Sequence, residues 1–213
     1  MADYKEIFNE ISELLQKGKA RDIVPAVQKA LDAGAEPADI LDNALMAGMD
    51  IIGGKFKRNE VFVPEMLIAA RAMNKATEAL KPALSKAGVD PVGKAIICTV
   101  TGDQHDIGKN LVKMMIEGKG IEVEDLGIDC DTQVIVDKVK ESNAKVLCLS
   151  ALLTTTMNAQ KEVICALKEA GVRDKVKVMV GGAPVTQSFA EEIGADAYAP
   201  DAASAAEVCR AYF

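Results

Sequence analysis

The sequence contains no tryptophan, few other aromatic residues and a single histidine among its 213 residues. Aromatic residues make up 4% of the chain and hydrophobic residues 49%, so we expect a core of aliphatic side chains, alanine and methionine. No apolar run approaches the length of a membrane span or of the apolar part of a signal peptide. We therefore expect a cytoplasmic protein without a membrane partner.

Positive charge is scarce and scattered along the chain. Acidic residues outnumber basic ones, 32 against 25, which gives a net charge of −7, and Lys and Arg form no basic stripe. Nucleic acids are bound through clustered positive charge. The sequence therefore disfavours nucleic acid as a partner.

The five cysteines stand far apart, without a C-x-x-C pair or the spacing of zinc ligands. An odd number of isolated cysteines predicts free thiols in a reducing compartment. Cys98 and Cys148 fall within predicted strands, where we expect them to fill the core.

Residues 1–85 have the apolar spacing of three and four that is typical of amphipathic helices. The spacing predicts helices over residues 3–17, 20–33, 37–56 and 62–84. Breaks are expected at Gly18, Gly34 and the Gly53-Gly54 pair, and Pro82 is expected to bend or end the fourth helix. Because the connections are short, we predict an N-terminal four-helix bundle, residues 1–85, followed by a linker over residues 86–93.

Residues 94–213 alternate short β-branched runs with helical segments. The predicted strands are residues 94–100, 121–126, 145–150, 175–180 and 197–198. The predicted helices are residues 106–117, 132–142, 155–170, 185–193 and 202–213. This alternation favours right-handed crossovers and a parallel sheet covered on both faces. We predict an α/β domain of the Rossmann type, with a flavodoxin-like, doubly wound, five-stranded parallel sheet.

The only histidine, His105, lies in a polar segment directly after the first predicted strand. Open α/β sheets bind ligands at the carboxyl ends of their strands, and Asp103 is placed to accept the second ring N–H of His105, as in metal-bound imidazoles. A phosphate loop is disfavoured because five residues rather than four separate Gly102 and Gly108, and Asn110 stands where Ser or Thr is needed. The chain lacks obvious parts for a metal site of three or four protein ligands. A single axial ligand to a metal held in a macrocycle would suffice, which leaves cobalt corrinoids and haem.

Three motifs make the corrinoid interpretation specific. Asp103-Gln-His105-Asp-Ile-Gly108 resembles the D-x-H-x-x-G signature of cobalamin-binding proteins of the methionine-synthase type. Ser150-Ala-Leu152 follows after 41 residues, and Gly181-Gly182 follows after a further 28. With helices ahead of these motifs, and residues 59–73 near the start of the last one, the whole chain resembles the small corrinoid proteins of anaerobic methyltransferase systems.

The resemblance implies a cobalamin or related corrinoid bound in the base-off/His-on form, with His105 as the lower axial ligand of cobalt. It implies a relay from His105 through Asp103 to Thr156, and a slot for the displaced nucleotide tail beside Ser150 and Gly181-Gly182. The full set of implied cofactor-binding residues is Asp103, Gln104, His105, Asp106, Ile107, Gly108, Ser150, Leu152, Thr154, Thr156, Gly181 and Gly182.

The resemblance also implies that the helical domain caps the upper face of the cofactor and moves on the linker when a partner approaches. Phe62, Met66 and Met73 have helix spacings that suit either such an apolar lid or the core of the bundle. Both alternatives are kept at this point.

The function implied is that of a corrinoid methyl carrier, the non-catalytic corrinoid subunit of a multi-component methyltransferase system. Its cobalt would accept a methyl group from a substrate-specific methyltransferase and pass it to a second methyltransferase acting on tetrahydrofolate or coenzyme M, with a reductive activase as a third partner. Methanol, methylamines, quaternary amines and aromatic methyl ethers are all open as donors. A cobalamin-binding regulator or sensor, and the cobalamin-binding subunit of a mutase, are the alternative functions.

Overall fold

The computed structural model describes residues 4–213, which divide into two compact units, residues 4–90 and Pro91–Phe213. The first helix was predicted to begin at Asp3, which lies outside the described residues. Across residues 4–213, no helix is both long enough and apolar enough to cross a lipid bilayer.

The first unit is built from amphipathic helices. They are α1 (Lys5–Gln16), α2 (Ile23–Asp32), α3 (Pro37–Ile40), a π-helical segment (Leu41–Met46) that continues directly into α4 (Ala47–Lys57), and α5 (Val63–Lys86). Because α3, the π-helical segment and α4 form one continuous rod, residues 4–90 form the predicted bundle of four helical rods. The apolar stripes meet in its interior, where Ile11 and Leu15 of α1 are fully buried.

Left-handed residues end most of these helices, but one predicted break is wrong. Gly18 and Gly34 follow α1 and α2 with φ of 66° and 89°, as expected of residues that end helices. The Gly53-Gly54 pair, in contrast, lies inside α4, and the left-handed residue that follows this helix is Asn59, with φ of 58°. Two glycines cost a helix about 2 kcal/mol relative to alanine. Packing of α4 in the bundle, where Gly53 is buried, outweighs that cost.

Helix α5 contains Pro82, Met66 and Met73. It continues through Pro82 to Lys86, so of the two predicted effects, a bend or an end, the proline does not end the helix. Met66 and Met73 are 1% and 2% exposed and lie on the stripe of α5 that contacts the other helices of the bundle. The structure therefore assigns both methionines to the core alternative, because side chains buried in this way present no lid surface. Phe62 is the one exposed member of the predicted lid.

The second unit contains the predicted five-stranded sheet. Its strands are β1 (Gly93–Thr99), β2 (Ile121–Asp125), β3 (Val146–Ser150), β4 (Lys177–Gly181) and β5 (Ala197–Tyr198), all parallel and in the order β2-β1-β3-β4-β5. Its helices are α6 (Ile107–Glu117), α7 (Thr132–Glu141), α8 (Met157–Glu169), α9 (Gln187–Ile193) and α10 (Ala202–Arg210), with a 3-10 turn at Arg173–Lys175. The predicted fold class is confirmed.

The strands are buried on both faces, as a parallel sheet between helices requires. Ile96 and Cys98 of β1 and Leu147 of β3 belong to one apolar cluster, while Ile97 and Cys148 are also buried. The five cysteines are free, and Cys98 and Cys148 fill the core as predicted. An aliphatic interior of this kind fixes the strands firmly, so that the loops at their carboxyl ends are carried on a rigid frame.

Candidate functional site

The sheet register brings the predicted motifs to one edge. Thr99, the last residue of β1, pairs with Ser150 of β3, and Ser150 pairs with Gly181 of β4. These three residues form a row at the carboxyl end of the sheet, on either side of the point where chain order reverses between β1 and β3. The loops that contain His105, Thr156 and Gly182 all leave the sheet from this row.

His105 is held by Asp103 through two contacts. The imidazole Nδ1 lies 2.7 Å from Asp103 Oδ1, and the backbone N–H of His105 donates to the same oxygen at 3.1 Å. The Thr99 hydroxyl donates to the His105 carbonyl at 2.9 Å. The backbone is therefore fixed on both sides of the ring, while half of the imidazole surface stays exposed at the sheet edge.

Asp103 is completely buried, and its second oxygen is also saturated. Asp103 Oδ2 accepts the backbone N–H of Leu152 at 2.7 Å and that of Leu153 at 3.3 Å. Burial raises the pKa of this carboxyl, but the hydrogen bonds from Thr156, His105 and Leu152 outweigh it and hold the pKa well below its usual range. A carboxylate only accepts hydrogen bonds, so Nδ1 carries a proton in this contact, and in the neutral imidazole the Nε2 lone pair is then free for a ligand.

Thr156 completes the predicted relay. Its hydroxyl donates to Asp103 Oδ2 at 2.7 Å and lies 3.0 Å from the Leu153 carbonyl. The side chain is buried at the start of α8, so the chain of contacts runs inward from the exposed imidazole to a shielded hydroxyl. Such an arrangement fixes the tautomer and orientation of the imidazole and increases its basicity.

The Gly181-Gly182 pair permits a close backbone approach between the ends of β3 and β4. Gly182 has φ of 128°, and a Cβ built there would lie 1.8 Å from the Ala151 carbonyl oxygen. A side chain is therefore excluded by both space and backbone conformation. Ser150 is partly buried beside this approach, and Thr154 is exposed on the loop that follows β3. The predicted tail-binding residues thus lie on two adjacent strand ends.

The other predicted residues surround the imidazole on the surface. Gln104 and Asp106 are exposed on the loop, and Ile107 and Gly108 form the first turn of α6. Ile107 is 73% exposed and Leu152 is 41% exposed, although both are large apolar side chains. Exposed apolar residues next to a free ring nitrogen suit a flat apolar ligand placed over the edge.

Two further contacts hold the His105 loop against the segment that follows β2, and neither was predicted from the sequence. Asp129, a non-glycine residue with φ of 49°, accepts the Gly102 N–H at 2.7 Å through Oδ1. Its own N–H donates to the Asp103 carbonyl at 2.9 Å. The only feature of the sequence that points to Asp129 is its place in a short polar segment after β2. The sequence does not show which way that loop turns, so the contact with the His105 loop could not be predicted.

Lys109 and Asp125 form an ion pair that the sequence also did not predict. The Lys109 ammonium lies 2.7 and 2.6 Å from the two Asp125 oxygens, and its side chain is 2% exposed. A lysine in the first turn of a helix opposes the helix dipole, which is the signal that could have drawn attention to it.

The residues present fit a metal that is already bound in a macrocycle. Among residues 4–213, no three His, Cys, Asp or Glu side chains lie together as an ordinary metal site requires. His105 offers one nitrogen at the exposed sheet edge, whereas the space beside Gly182 is filled by the Ala151 backbone. This donor set suits a single bond to a metal whose other ligands the macrocycle supplies.

Comparison with known proteins gives matches along the whole chain. Family models described as B12 binding domain match residues 93–208 and residues 7–81. Dimethylamine corrinoid protein 1 of Methanosarcina mazei is 44% identical over 207 residues, which are 96% of this chain and 95% of the relative.

Two solved structures share the fold over nearly the whole chain. A cobalamin-binding protein from Desulfitobacterium hafniense DCB-2 is 33% identical with a TM-score of 0.82, over 97% of this chain and 98% of that chain. A chain of the methanol:cobalamin methyltransferase complex MtaBC from Methanosarcina barkeri is 33% identical with a TM-score of 0.86, over 97% of this chain and 79% of that chain. These matches confirm the resemblance drawn from the three motifs, and the chain belongs to the family of B12-binding corrinoid proteins.

Proposed function

We propose that the protein is a corrinoid methyl carrier whose cofactor is bound through His105. The observation that carries this proposal is the buried, ionised Asp103, which holds the Nδ1 proton of the only histidine and leaves Nε2 free at the exposed sheet edge. When bound, the corrinoid supplies a cobalt centre that accepts and donates methyl groups. The family membership and the 44% identical corrinoid protein support this function.

The chain's own residues hold the lower side of that cofactor. His105 would ligate cobalt through Nε2, with the corrinoid in the base-off/His-on form, and Asp103 would stabilise positive charge on the imidazole. Thr156 donates to Asp103 and keeps the carboxylate oriented. The contacts of His105, Asp103 and Thr156 would keep the ring proton at Nδ1 and would set the basicity of the Nε2 nitrogen offered to the metal.

The nucleotide tail of the corrinoid would lie along the ends of β3 and β4. Ser150 and Thr154 would offer hydroxyl groups to it, at strand ends that the close approach of Gly182 to the Ala151 backbone holds together. Ile107 and Leu152 provide apolar contact beneath the macrocycle. In this arrangement each of the three sequence motifs would contact a different part of one ligand.

The partners are a substrate-specific methyltransferase and a second methyltransferase that uses tetrahydrofolate or coenzyme M, with a reductive activase that restores the reduced cofactor. The solved methanol:cobalamin methyltransferase complex supports the first partner. The dimethylamine corrinoid protein supports a methylated amine as donor. Both donor classes therefore enter the assay below.

The presence of a single histidine permits a direct test of the axial ligand. Protein produced with ¹⁵N-histidine carries the label at His105 alone. We expect the spectrum of the bound cob(II)alamin, measured by electron paramagnetic resonance, to have a three-line nitrogen splitting that becomes two lines on labelling. Splitting that the label leaves unchanged identifies the cofactor's own base as the ligand and rejects His105. His105→Ala should lose the splitting, and added imidazole should restore it.

A transfer assay distinguishes the carrier from its alternatives. Protein loaded with methylcobalamin is incubated with a methyltransferase for tetrahydrofolate or coenzyme M, and the loaded cob(I)alamin form is incubated with a dimethylamine or methanol methyltransferase. We expect methyl transfer in both directions with at least one partner of each kind. A regulator or a mutase subunit would bind the cofactor and fail both transfers.

A further inference from the structure

We propose that the ion pair between the buried Lys109 and the half-buried Asp125 is a positioning device that sets the location of His105 for its bond to the metal. This inference rests on the proposed function, because it assigns to the pair an effect on the His105 axial bond. Neither residue contacts the imidazole, so both act through the backbone segments that carry it.

The pair joins the helix that follows His105 to the strand next to it. Lys109 lies in the first turn of α6, and Asp125 is the last residue of β2. The Lys109 ammonium contacts both Asp125 oxygens and also donates to the Asn110 Oδ1 at 2.8 Å, which satisfies its three N–H donors. Burial raises the pKa of Asp125, but the contacts from Lys109 and the Gly127 N–H outweigh it and lower the pKa.

The segment after Asp125 continues the connection to the His105 loop. Asp125 Oδ1 accepts the Gly127 N–H at 2.9 Å, and the Gly127 carbonyl accepts the N–H of Thr99 at 3.0 Å. Thr99 in turn donates through its hydroxyl to the His105 carbonyl. Further along, the Asp129 N–H donates to the Asp103 carbonyl. The ion pair therefore connects α6 to β2, and the hydrogen bonds that follow connect the segment after β2 back to the loop that contains His105.

The energetics favour positioning over stability as the role of this pair. Removing two charges from water is costly, and apolar residues of similar size often stabilise a fold as well as a buried ion pair or better. A buried pair with saturated donors does, however, impose one relative position on the two segments that carry it. Lys109 lies in the first turn of α6, shortly after His105, so a fixed position of this turn also fixes the position of the imidazole.

The test compares Lys109→Met with the double variant Lys109→Met/Asp125→Asn. Methionine retains the length of the side chain, and asparagine can still accept the Gly127 N–H, so the double variant leaves no buried charge unpaired. Each protein is loaded with cobalamin and reduced to cob(II)alamin, and the nitrogen splitting and the apparent Kd for hydroxocobalamin are measured. Thermal unfolding of the apoproteins reports folding separately.

We expect the folded double variant to lose the nitrogen splitting in most of its population and to bind hydroxocobalamin more weakly. The matched control is Lys113→Met on the same helix, because the Lys113 ammonium is 3.6 Å from Asp125 and its side chain is 30% exposed. This control should retain the wild-type splitting.

Three outcomes overturn the inference in distinguishable ways. Wild-type splitting in a folded Lys109→Met or double variant rejects the positioning role and leaves the proposed function intact. Failure of both variants to fold assigns the pair to stability and likewise rejects positioning. Absence of histidine splitting in the wild-type protein rejects the proposed axial bond itself, and the inference with it.

Discussion

At the scale of single residues, Asp103 has the most demanding position in the protein. It is completely buried and accepts hydrogen bonds from two side chains and three backbone N–H groups. A buried carboxylate is costly unless its acceptors are filled, and here they are filled by groups from two segments of the chain. One residue therefore orients the imidazole and joins the loops after β1 and β3.

Asp103→Asn should destabilise the Pro91–Phe213 unit by about 3 kcal/mol at neutral pH, because the amide places an N–H group where two donors converge. The folded pKa of Asp103 lies below its unfolded value. The contribution of the Asp103 carboxylate to the free energy of unfolding is therefore complete above its unfolded pKa of about 3.9, and it is lost as pH falls through the folded pKa.

Urea unfolding of both proteins between about pH 2.5 and pH 7 measures this effect. The difference in free energy of unfolding between wild type and Asp103→Asn should be constant at neutral pH and should decrease below about pH 4. Asp106→Asn, at an exposed position on the same loop, is the control and should change stability by less than about 0.5 kcal/mol. A difference that is the same at all pH values would contradict the ionised state of Asp103.

At the scale of elements, the parallel register decides which loops meet. The pairing of Thr99 with Ser150 and of Ser150 with Gly181 places three strand ends in a row. The turn after β4 then approaches the Ala151 backbone so closely that only glycine fits at position 182. The ends of β3 and β4 are thus held together by this backbone contact and by the hydrogen bonds of the sheet.

Gly182→Ala should lower the free energy of unfolding by at least about 3 kcal/mol, since it adds a steric clash to an unfavourable φ. Gly171→Ala is the matched control: Gly171 has φ of 67°, and a Cβ there would meet no atom within 4 Å. The control should cost about 1 kcal/mol from the left-handed backbone alone. Chemical denaturation of the two variants measures the difference, and equal losses would show that the contact with Ala151 is unimportant.

At the scale of the whole molecule, the chain separates a helical unit from a sheet unit that contains all of the predicted cofactor-binding residues. Within the sheet unit, these residues occupy the carboxyl edge, while the loops at the amino edge carry none of them. The cap role of the helical unit stays a prediction, now with Phe62 as the one exposed residue of the three proposed for the lid.

Cobalamin binding should protect one edge of the sheet unit against hydrogen exchange. At a concentration of hydroxocobalamin 100 times its Kd, ligand binding stabilises the native state by about 2.7 kcal/mol. We expect slower exchange in residues 99–106, 150–156 and 181–182, measured by mass spectrometry with and without ligand. The amino-edge loops, residues 143–145 and 172–176, provide the internal control and should change least. Protection confined to those loops would contradict the site.

Much of the fold followed from local patterns. Up to residue 90, apolar residues recur at a spacing of three and four, and this spacing predicted the helical bundle. After residue 90, short β-branched runs predicted the ends of every strand to within two residues. They succeeded because burial of one helix face or of whole strands leaves a regular trace along the chain. The motif spacing likewise brought His105, Ser150 and Gly181 to one edge, since parallel strands end at the same side of a sheet.

Sequence patterns alone did not determine the contacts between distant segments. The burial of Met66 and Met73, and the position of Gly53 and Gly54 inside α4, could not be predicted because both depend on packing in the bundle. The ion pair of Lys109 with Asp125 could not be predicted because it depends on how separate segments are arranged. By itself, the sequence determined the fold class, the family motifs and the only histidine able to act as a ligand. The tertiary structure decided how that histidine is held, since the buried Asp103 and its donors meet only after the strands align.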